Sequence, residues 1–181
     1  MIPAPGLLLV AAPQLQDPHF VDSVVYLVDA GVGGAVGVVL NRPTPLLVGA
    51  VLPAWEDLAA DPEVVFQGGP VETDGALALA AAEPGAPGIR PVADRVGVVD
   101  LDLSPDDLVG TVLQLRVFAG YAGWGAGQLE AEIDEGSWAV VPGLAEDVFG
   151  DDPVGLRRRV LRRQSGEVAW WATRPDDAAL N

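Results

Sequence analysis

Three continuous apolar runs dominate the first forty residues of the chain, at positions 7–10, 23–28 and 35–40. Each run has the length of a β-strand and is rich in Val and Leu. Pro and Asp residues separate the first run from the second. The segment between the second and third runs contains Gly31 and Gly33 and is short enough for a β-hairpin. Because the runs are continuously apolar rather than alternating, we expect a sheet whose strands are covered on both faces.

The rest of the chain alternates strand signals with short helical ones. We expect strands at 64–66, 96–101, 111–118, 137–141 and 167–173, a strand or short helix at 76–82, and short helices after Thr44, after Ser104, around Leu129 and Ile133, and from Asp152 to about Arg163. A chain of 181 residues suits one domain, and the loop at 83–91 is too short to link two. The sequence therefore predicts an α+β fold, a single compact domain over residues 1–181 with a mixed or barrel-like β-sheet flanked by a few short helices.

The first of these helices follows the third apolar run. Thr44 is expected to be its N-cap, with Pro45 at the first helical position, where the missing N–H of proline costs nothing. The apolar residues that follow supply a buried face. Pro53 is expected to break or kink the helix because proline cannot donate the helical hydrogen bond.

Several residue types that support catalysis are missing. The chain has no Cys and no Lys, since all ten basic residues are Arg, and its one histidine is His19. Thiol chemistry, Schiff bases and Walker A phosphate loops are thereby excluded, and a catalytic zinc lacks ligands. Asp100 and Asp102, with the acids that follow at 106 and 107, are a candidate cluster for a divalent cation, although an acidic protein needs no such reason for them. We predict no catalytic residue, no cofactor and no metal site.

The net charge of −16 limits the partners that the chain can bind. Residues 1–90 carry two Arg and ten acids, and residues 91–181 carry eight Arg and sixteen acids, so each half contributes −8 and no basic tail exists. This balance argues against direct binding of duplex DNA and against an anionic membrane surface. Without a basic residue before Arg42 or an apolar stretch of membrane length, we expect a cytoplasmic protein that binds a protein partner or a small ligand.

The densest motif in the chain is the glycine-rich segment at 120–130, which reads GYAGWGAGQLE. A glycine loop between a strand and a helix has the local geometry of a phosphate cradle, but Gln128 occupies the position where a dinucleotide fingerprint requires glycine. Tight turns and close packing against Trp124 are the competing interpretation. In either case these glycines are expected to interrupt regular structure, some with positive φ.

A second polar motif, Asn41 and Arg42, follows the third apolar run. Arg42 is the only cation in the first 89 residues, and arginine binds carboxylate or phosphate groups through two donors. A structural salt bridge is an equally good explanation of this residue. The ligand-binding hypothesis places six residues around one pocket: Asn41, Arg42, Gly68, Gly69, Tyr121 and Gln128.

Half of the arginines lie between positions 157 and 163. On a helix, the apolar residues at 156, 160 and 161 form a buried stripe and the arginines point away from it. A solvated face that pairs with surplus carboxylates is one interpretation. The other is a partner-docking surface built from Arg157, Arg158, Arg162 and Arg163.

Taken together, five motifs resemble those of the YqgE/AlgH family of small bacterial proteins. They are GLLLVAAPQLQDPHF at 6–20, SVVYL at 23–27, GVVLNRP at 37–43, QGGPV at 67–71, and the segment at 120–130 with its following GSW at 136–138. The motifs occur in family order, and the resemblance covers nearly the whole chain. The chain differs from relatives at Ala30 and Ala80, where histidines are frequent.

The resemblance implies an α+β fold with a mixed or barrel-like sheet. The family is largely uncharacterised, and its AlgH branch carries a transcriptional-regulator label. We therefore expect a regulatory protein that binds a partner or ligand without catalysis. The alternative is a small-molecule or nucleotide-binding enzyme that uses a pocket around Asn41, Arg42 and the segment at 120–130.

Overall fold

One long strand organises the fold. The computed structural model describes residues 1–108 and 110–173. Within them the strands are β1 (Leu7–Ala11), β2 (Val24–Gly31), β3 (Gly34–Val39), β4 (Pro43–Leu47), β5 (Val64–Gln67), β6 (Val71–Ala82), β7 (Ile89–Ala93), β8 (Val96–Val99), β9 (Val112–Gly125) and β10 (Trp138–Pro142). The α-helices are α1 (Val48–Val51), α2 (Gln128–Asp134), α3 (Ala145–Phe149), α4 (Leu156–Arg162) and α5 (Gly166–Trp170), and 3₁₀ helices span Pro53–Leu58, Pro105–Leu108 and Trp171–Thr173.

The 14-residue strand β9 joins the two halves of the sheet. The strand order is β10-β1-β2-β3-β9-β6-β8-β7, and β9 pairs antiparallel with β3 through its C-terminal part and with β6 through its N-terminal part. Beside these, β5 runs parallel to β9 and β4 pairs with β5. Among the described residues the result is a curled, mostly antiparallel half-barrel with short helices around it, which confirms the predicted α+β class.

Alternate residues of the first strands enter two different cores, as the continuous apolar runs predicted. In β1, Leu8 and Val10 belong to one cluster of buried side chains, whereas Leu9 and Ala11 belong to another. The predicted β2–β3 hairpin is also present, with Gly31 opposite Gly34. The three apolar runs were therefore interpreted correctly.

The helix predicted to begin at Thr44 is wrong for its first turn. Residues Pro43–Leu47 form strand β4, and only the single turn of α1 follows before the 3₁₀ helix that begins at Pro53. The Thr44 hydroxyl donates to the carbonyl of Val65 on β5 at 2.6 Å rather than capping a helix. A tertiary hydrogen bond thus overrides the local capping signal.

The strand predicted at 167–173 is also wrong, because this segment forms α5 and a 3₁₀ turn. Its partly buried residues Val168, Trp171 and Ala172 pack against the core cluster that contains Leu8. Their spacing of three and four is helical. The β-branched and aromatic content of the segment had hidden this period.

The glycine-rich motif does not interrupt regular structure as predicted, since β9 continues through Gly125. Gly120 and Gly127 do have positive φ values of 72° and 73°. Within β9, Gly120 permits a close backbone approach, because a Cβ added to it would be 2.5 Å from the Gly69 carbonyl oxygen. A Cβ added to Gly123 or Gly125 would have no neighbour nearer than 3.5 Å. Close backbone packing therefore explains the glycine at position 120, and positive φ explains Gly127.

Candidate functional site

Asn41 and Arg42 donate hydrogen bonds to main-chain carbonyls of the loop that precedes β2. The Asn41 amide accepts from the Val24 N–H at 3.0 Å and donates to the Asp22 carbonyl at 2.9 Å. Arg42 donates to the carbonyls of His19 and Val21 at 2.5 and 3.0 Å. Burial lowers the pKa of Arg42, and carboxylates in the same loop partly offset this. The Arg42 donors therefore contact backbone, and the predicted salt bridge is replaced by two charge-assisted bonds to carbonyls.

Beside this loop lies a cavity of about 410 Å³, here called the arginine cavity. Its walls come from sequence positions far apart: Asp22 and Asn41 on one side, and the helical C-terminal part of the chain on the other. The lining residues are Asp22, Asn41, Val154, Gly155, Arg157, Arg158, Leu161, Trp171 and Ala172. The cavity thus brings one predicted ligand-binding residue together with two predicted docking arginines.

The two arginines of the cavity have different environments. Arg157 is mostly buried, donates to the Ala11 carbonyl at 3.0 Å and places its Nε 3.8 Å from the Asp22 carboxylate. Arg158 is exposed and forms no ion pair with any residue in the described ranges. Trp171 and Leu161 add apolar surface beside these charges. The cavity therefore combines an available cation, an indole ring and aliphatic carbon.

Gly68, Gly69 and Tyr121 lie outside the lining of the arginine cavity, where β9 passes the end of β5. The Gly68 carbonyl accepts from the Val39 N–H at 2.8 Å, so this segment is close to the end of β3. Gly68 donates to the Ala119 carbonyl at 2.9 Å, and a Cβ on Gly69 would be 2.1 Å from the Tyr121 carbonyl carbon. The half-buried Tyr121 lines a separate cavity of about 290 Å³ with Glu72. Asn41 and Tyr121 therefore face different cavities, and the glycines serve backbone contact between strands. Whether either cavity takes a ligand stays a prediction.

Gln128 belongs to a third location, at the start of α2. Its Oε1 accepts from the Gly125 N–H at 3.0 Å, and its Nε2 donates to Glu132 at 2.9 Å. The side chain thus ties the end of β9 to α2. Gln128 lines neither the arginine cavity nor the Tyr121 cavity.

Glu132 has a structural role that sequence reasoning missed. One of its carboxylate oxygens accepts from both indole N–H groups of Trp124 and Trp138, at 2.9 and 2.8 Å. Phe20 packs against both rings, with centroid distances of 5.9 and 5.5 Å. The two tryptophans of the family motifs therefore meet at one carboxylate. Nothing in the sequence spacing indicates this convergence.

The other arginines on α4, and Arg163 directly after it, differ in whether they form ion pairs. Arg163 forms a two-pronged pair with Asp147 at 2.7 and 2.5 Å, and this hydrogen bonding raises the pKa of Arg163. Arg159 pairs with Asp152 at 2.7 Å. Arg162, like Arg158, is exposed and forms no ion pair within residues 1–108 and 110–173. Of the four predicted docking arginines, these two present unpaired charges at the described surface.

Arg116 is a buried cation that the sequence did not reveal. It is 2% exposed, donates to the carbonyls of Val148 and Gly150 at 3.0 Å each and to that of Asp61, and lies 4.4 Å from the centre of the Phe66 ring. Burial lowers the pKa of Arg116 to about 10, and the charge of Asp61 opposes this. Its bonds connect β9 to the segment before β5 and to the end of α3.

Two absences concern the described ranges only. Residues 1–108 and 110–173 contain no group of three or more His, Asp or Glu side chains placed to hold a metal ion, and Asp100 instead caps the backbone N–H of Asp102 at 3.0 Å. No described helix has the length and apolar character needed to cross a membrane.

The geometry defines a single-domain α+β protein with a curled sheet whose family motifs build strand contacts and an aromatic cluster. The family model of DUF179, described as AlgH-like, matches residues 8–169. UPF0301 protein SCO2948 of Streptomyces coelicolor is similar to this chain, at 52% identity over 182 residues that cover 97% of the chain and 94% of that protein. The chain belongs to the AlgH-like family.

Two solved structures share this fold over nearly their whole length. The crystal structure of protein DIP2367 from Corynebacterium diphtheriae has a TM-score of 0.90 at 30% identity and covers 96% of this chain and 94% of its own. The solution structure of AlgH from Pseudomonas aeruginosa has a TM-score of 0.71 at 28% identity, with 98% of each chain covered. The family resemblance inferred from the motifs is confirmed.

Proposed function

We propose that this chain is a cytoplasmic regulatory protein that binds a small anionic ligand in the arginine cavity and catalyses no reaction. The observation that carries the proposal is the meeting of Asn41 with Arg158 and Trp171 around one cavity. Its volume of about 410 Å³ lies within the roughly 300–1,000 Å³ typical of small-molecule sites. The following points support this function.

The charge of the cavity favours an anion. Arg158 is exposed and has no carboxylate partner among residues 1–108 and 110–173, whereas the Asp22 carboxylate lies beside Arg157. A guanidinium binds carboxylate, phosphate or sulfonate groups through two parallel donors. Trp171 and Leu161 offer apolar surface to the rest of such a ligand. An anion with an aromatic or aliphatic body therefore fits this lining best.

The position of the cavity supports a regulatory role. Asn41 follows β3 and is fixed by its bonds to Val24 and Asp22, while Trp171 belongs to the C-terminal helical segment. A ligand that contacts both sides would tie this segment to the sheet. A ligand that binds more tightly when the helical segment is packed against the sheet would stabilise that conformation by the difference in binding free energy. Ligand binding would then change a surface that a partner protein recognises. A protein partner is favoured over DNA because the −16 charge disfavours direct contact with DNA.

The test uses 8-anilinonaphthalene-1-sulfonate, a fluorescent probe with a sulfonate and an aromatic body. We expect saturable binding with one probe per chain. Arg158→Ala should weaken binding roughly tenfold, which corresponds to the loss of about 1.4 kcal/mol from one charge-assisted hydrogen bond. Arg162→Ala is the matched control, since Arg162 is also exposed on α4 but lies outside the cavity lining.

Equal effects of the two substitutions would contradict the proposal, because nonspecific attraction to any surface arginine would then explain the binding. Native mass spectrometry of protein purified from its own host adds an independent measurement. A retained small anion that is lost in Arg158→Ala and kept in Arg162→Ala would support the proposal. A ligand retained equally by both variants would argue against this cavity.

A further inference from the structure

A shallow apolar groove crosses the opposite part of the sheet, where β9 passes between β5 and β6. One wall is formed by Leu46 of β4 and Val51 of α1, and the other by the segment at 73–76 of β6. Val65 of β5 and Val117 of β9 lie at its floor and are buried. We call this depression, of about 260 Å³, the acidic groove.

The groove forms where small residues lie beside a bulge in β6. Val71 lies opposite Tyr121 and Ala76 opposite Ala119, so four residues of β6 bulge out opposite the single residue Gly120. A Cβ on Gly120 would lie 2.5 Å from the Gly69 carbonyl oxygen and could not be accommodated without movement. The side chains of Ala76 and Ala119 are too short to fill the space beneath the bulge. Sequence and backbone together therefore build this groove.

The walls of the groove leave aliphatic side chains in water. Leu46 is 46% exposed and Val51 is 47% exposed, although both stand beside the buried core cluster that contains Val65 and Val117. Adjacent exposed apolar residues that continue a core are typical of a surface that is covered by a partner.

The stretch of sequence that forms both walls of the groove is acidic. Between Arg42 and Arg90 the chain has seven acids and no Arg, Lys or His, and this stretch supplies both walls. Asp74 lines the groove directly, and the carboxylate of Glu56 lies against Gly49 of α1. A partner with positive charges beside its apolar side chains is therefore favoured over an acidic or neutral one.

The size and edge of the groove favour a docked side chain over an enclosed ligand or an added strand. A volume of about 260 Å³ is below the range of roughly 300–1,000 Å³ for small-molecule pockets. The neighbouring edge strand β4 contains Pro43 and Pro45, which have no N–H to donate to a further strand. Recognition must therefore come from apolar anchors with flanking charges.

We propose that the acidic groove docks a segment of a partner protein that inserts aliphatic side chains between Leu46, Val51 and the β6 bulge and places Arg or Lys residues against Asp74. This surface is separate from the arginine cavity, and the proposal does not depend on the function assigned to that cavity. A second copy of the chain fits poorly in a two-fold arrangement, since the same acidic walls would then face each other.

The test is fluorescence anisotropy with a labelled amphipathic peptide that carries Leu on one helical face and Arg on the other. Two further peptides, one with Glu in place of Arg and one with the same composition in scrambled order, report on charge and on the apolar face. We expect the Leu/Arg peptide to bind at least tenfold more tightly than either of these. Binding should weaken as the salt concentration rises.

Matched variants separate docking from general attraction to an acidic protein. Asp74→Lys should weaken binding of the Leu/Arg peptide at least fivefold, whereas Asp134→Lys makes the same change in net charge on the exposed surface of α2 and should have little effect. Val51→Asn should also weaken binding, while Val32→Asn, at a hairpin position that is fully exposed, should not. Because Val51 and Val32 are both exposed, neither substitution is expected to unfold the chain.

Three outcomes would overturn the proposal. Equal effects of Asp74→Lys and Asp134→Lys would reduce the binding to net charge. Equal binding of the scrambled peptide would remove the role of the apolar anchors. A chain that light scattering shows to be dimeric, and that Val51→Asn converts to a monomer, would assign the groove to a second copy.

Discussion

The arginine cavity and the acidic groove differ in both charge and construction. The cavity joins Asn41 to residues more than a hundred positions later, and it presents a guanidinium and an indole. The groove is built from strands around β9, and its walls come from a stretch of sequence without a basic residue. A strongly acidic chain can therefore hold one site suited to anions and another suited to cations. The net charge alone would have predicted only the second.

Among the described residues, Arg116 connects segments that lie beside the two regions in the sequence. Its guanidinium binds the carbonyl of Asp61, which follows the helical turns beside the groove, and the carbonyls of Val148 and Gly150, which precede α4 and the cavity. Removing one donor would affect both sides.

The largest effect is expected from Arg116→Met. The substitution leaves the buried carbonyl of Val148 and the partly buried carbonyls of Gly150 and Asp61 without their donor, at a cost of about 3 kcal/mol in the free energy of unfolding. Urea denaturation measures this loss, and the exposed Arg158→Ala is the control with a change near zero. Binding of the sulfonate probe and of the Leu/Arg peptide should weaken together in Arg116→Met. A variant as stable as the wild type would contradict the link.

A somewhat smaller loss is expected from Glu132→Ala, which removes the shared acceptor of Trp124 and Trp138. The indole N–H groups of two buried tryptophans then lack a partner, and the free energy of unfolding should fall by about 2 kcal/mol. Near-ultraviolet circular dichroism should report the loosened aromatic cluster. Glu130→Ala, on the exposed side of α2, is the control.

Because Glu132 lines neither region, both probes should still bind to the folded Glu132→Ala protein with unchanged affinity. Loss of either binding activity while the chain remains folded would show that the aromatic cluster is part of a site. This result would sharpen the comparison by adding a third region.

The next effect depends on pH and concerns Tyr26, which is 2% exposed in the core shared by β1 and β2. Burial, and secondarily the charge of Asp94, raise the pKa of Tyr26 well above its ordinary value of 10.0. A group with a raised folded pKa stabilises the fold fully below its unfolded pKa and loses that contribution above it. Stability should therefore fall by about 1.4 kcal/mol for each pH unit above 10.

Absorbance at 295 nm checks this directly, because the chain has only two tyrosines, Tyr26 and Tyr121. Between pH 10 and 12 the Tyr26 signal should appear only together with unfolding. Tyr26→Phe should remove the alkaline loss of stability, and Tyr121→Phe should retain it. Ionisation of Tyr26 in a chain that remains folded would contradict the burial of its hydroxyl.

The smallest effect is the one expected with DNA. The −16 charge predicts no sub-micromolar binding of duplex DNA at physiological salt, and Arg158→Ala and Arg162→Ala should leave this result unchanged. An anisotropy titration with genomic fragments measures it. Tight, salt-sensitive binding that is lost in either variant would make α4 a nucleic-acid surface and would overturn the assignment of the arginine cavity to a small anion.

Local signals in the sequence predicted most of the sheet and little of the site. The runs at 7–10, 23–28 and 35–40 form strands because their apolar content agrees with their tertiary environment. Thr44 misled because its hydroxyl bonds to Val65, a contact that local capping rules do not include. The spacing of Val168 and Trp171 is helical, but the β-branched and aromatic composition of this segment predicts a strand, which is wrong.

The sites required long-range information. The sequence indicates that Asn41 is a polar residue at the end of a strand. Arg158, which lines the same cavity, lies in a distant part of the sequence. Glu132 carries no local sign that two indoles converge on it. The glycine-rich motif predicts positive φ for some of its glycines, yet only the β6 register reveals the bulge and groove at Gly120. Residue type was thus easier to predict than the partner that gives it a role.

The most direct test of two independent regions of opposite preference is a calorimetric titration with both probes in sequence. The sulfonate probe is first brought to saturation, and the Leu/Arg peptide is then added, in wild type, Arg158→Ala and Asp74→Lys. We expect the Kd of the peptide to be unchanged by the bound probe. Arg158→Ala should weaken only the probe, and Asp74→Lys should weaken only the peptide. Competition between the probe and the peptide, or a weakening of both ligands by Arg158→Ala or by Asp74→Lys, would contradict the existence of two separate sites.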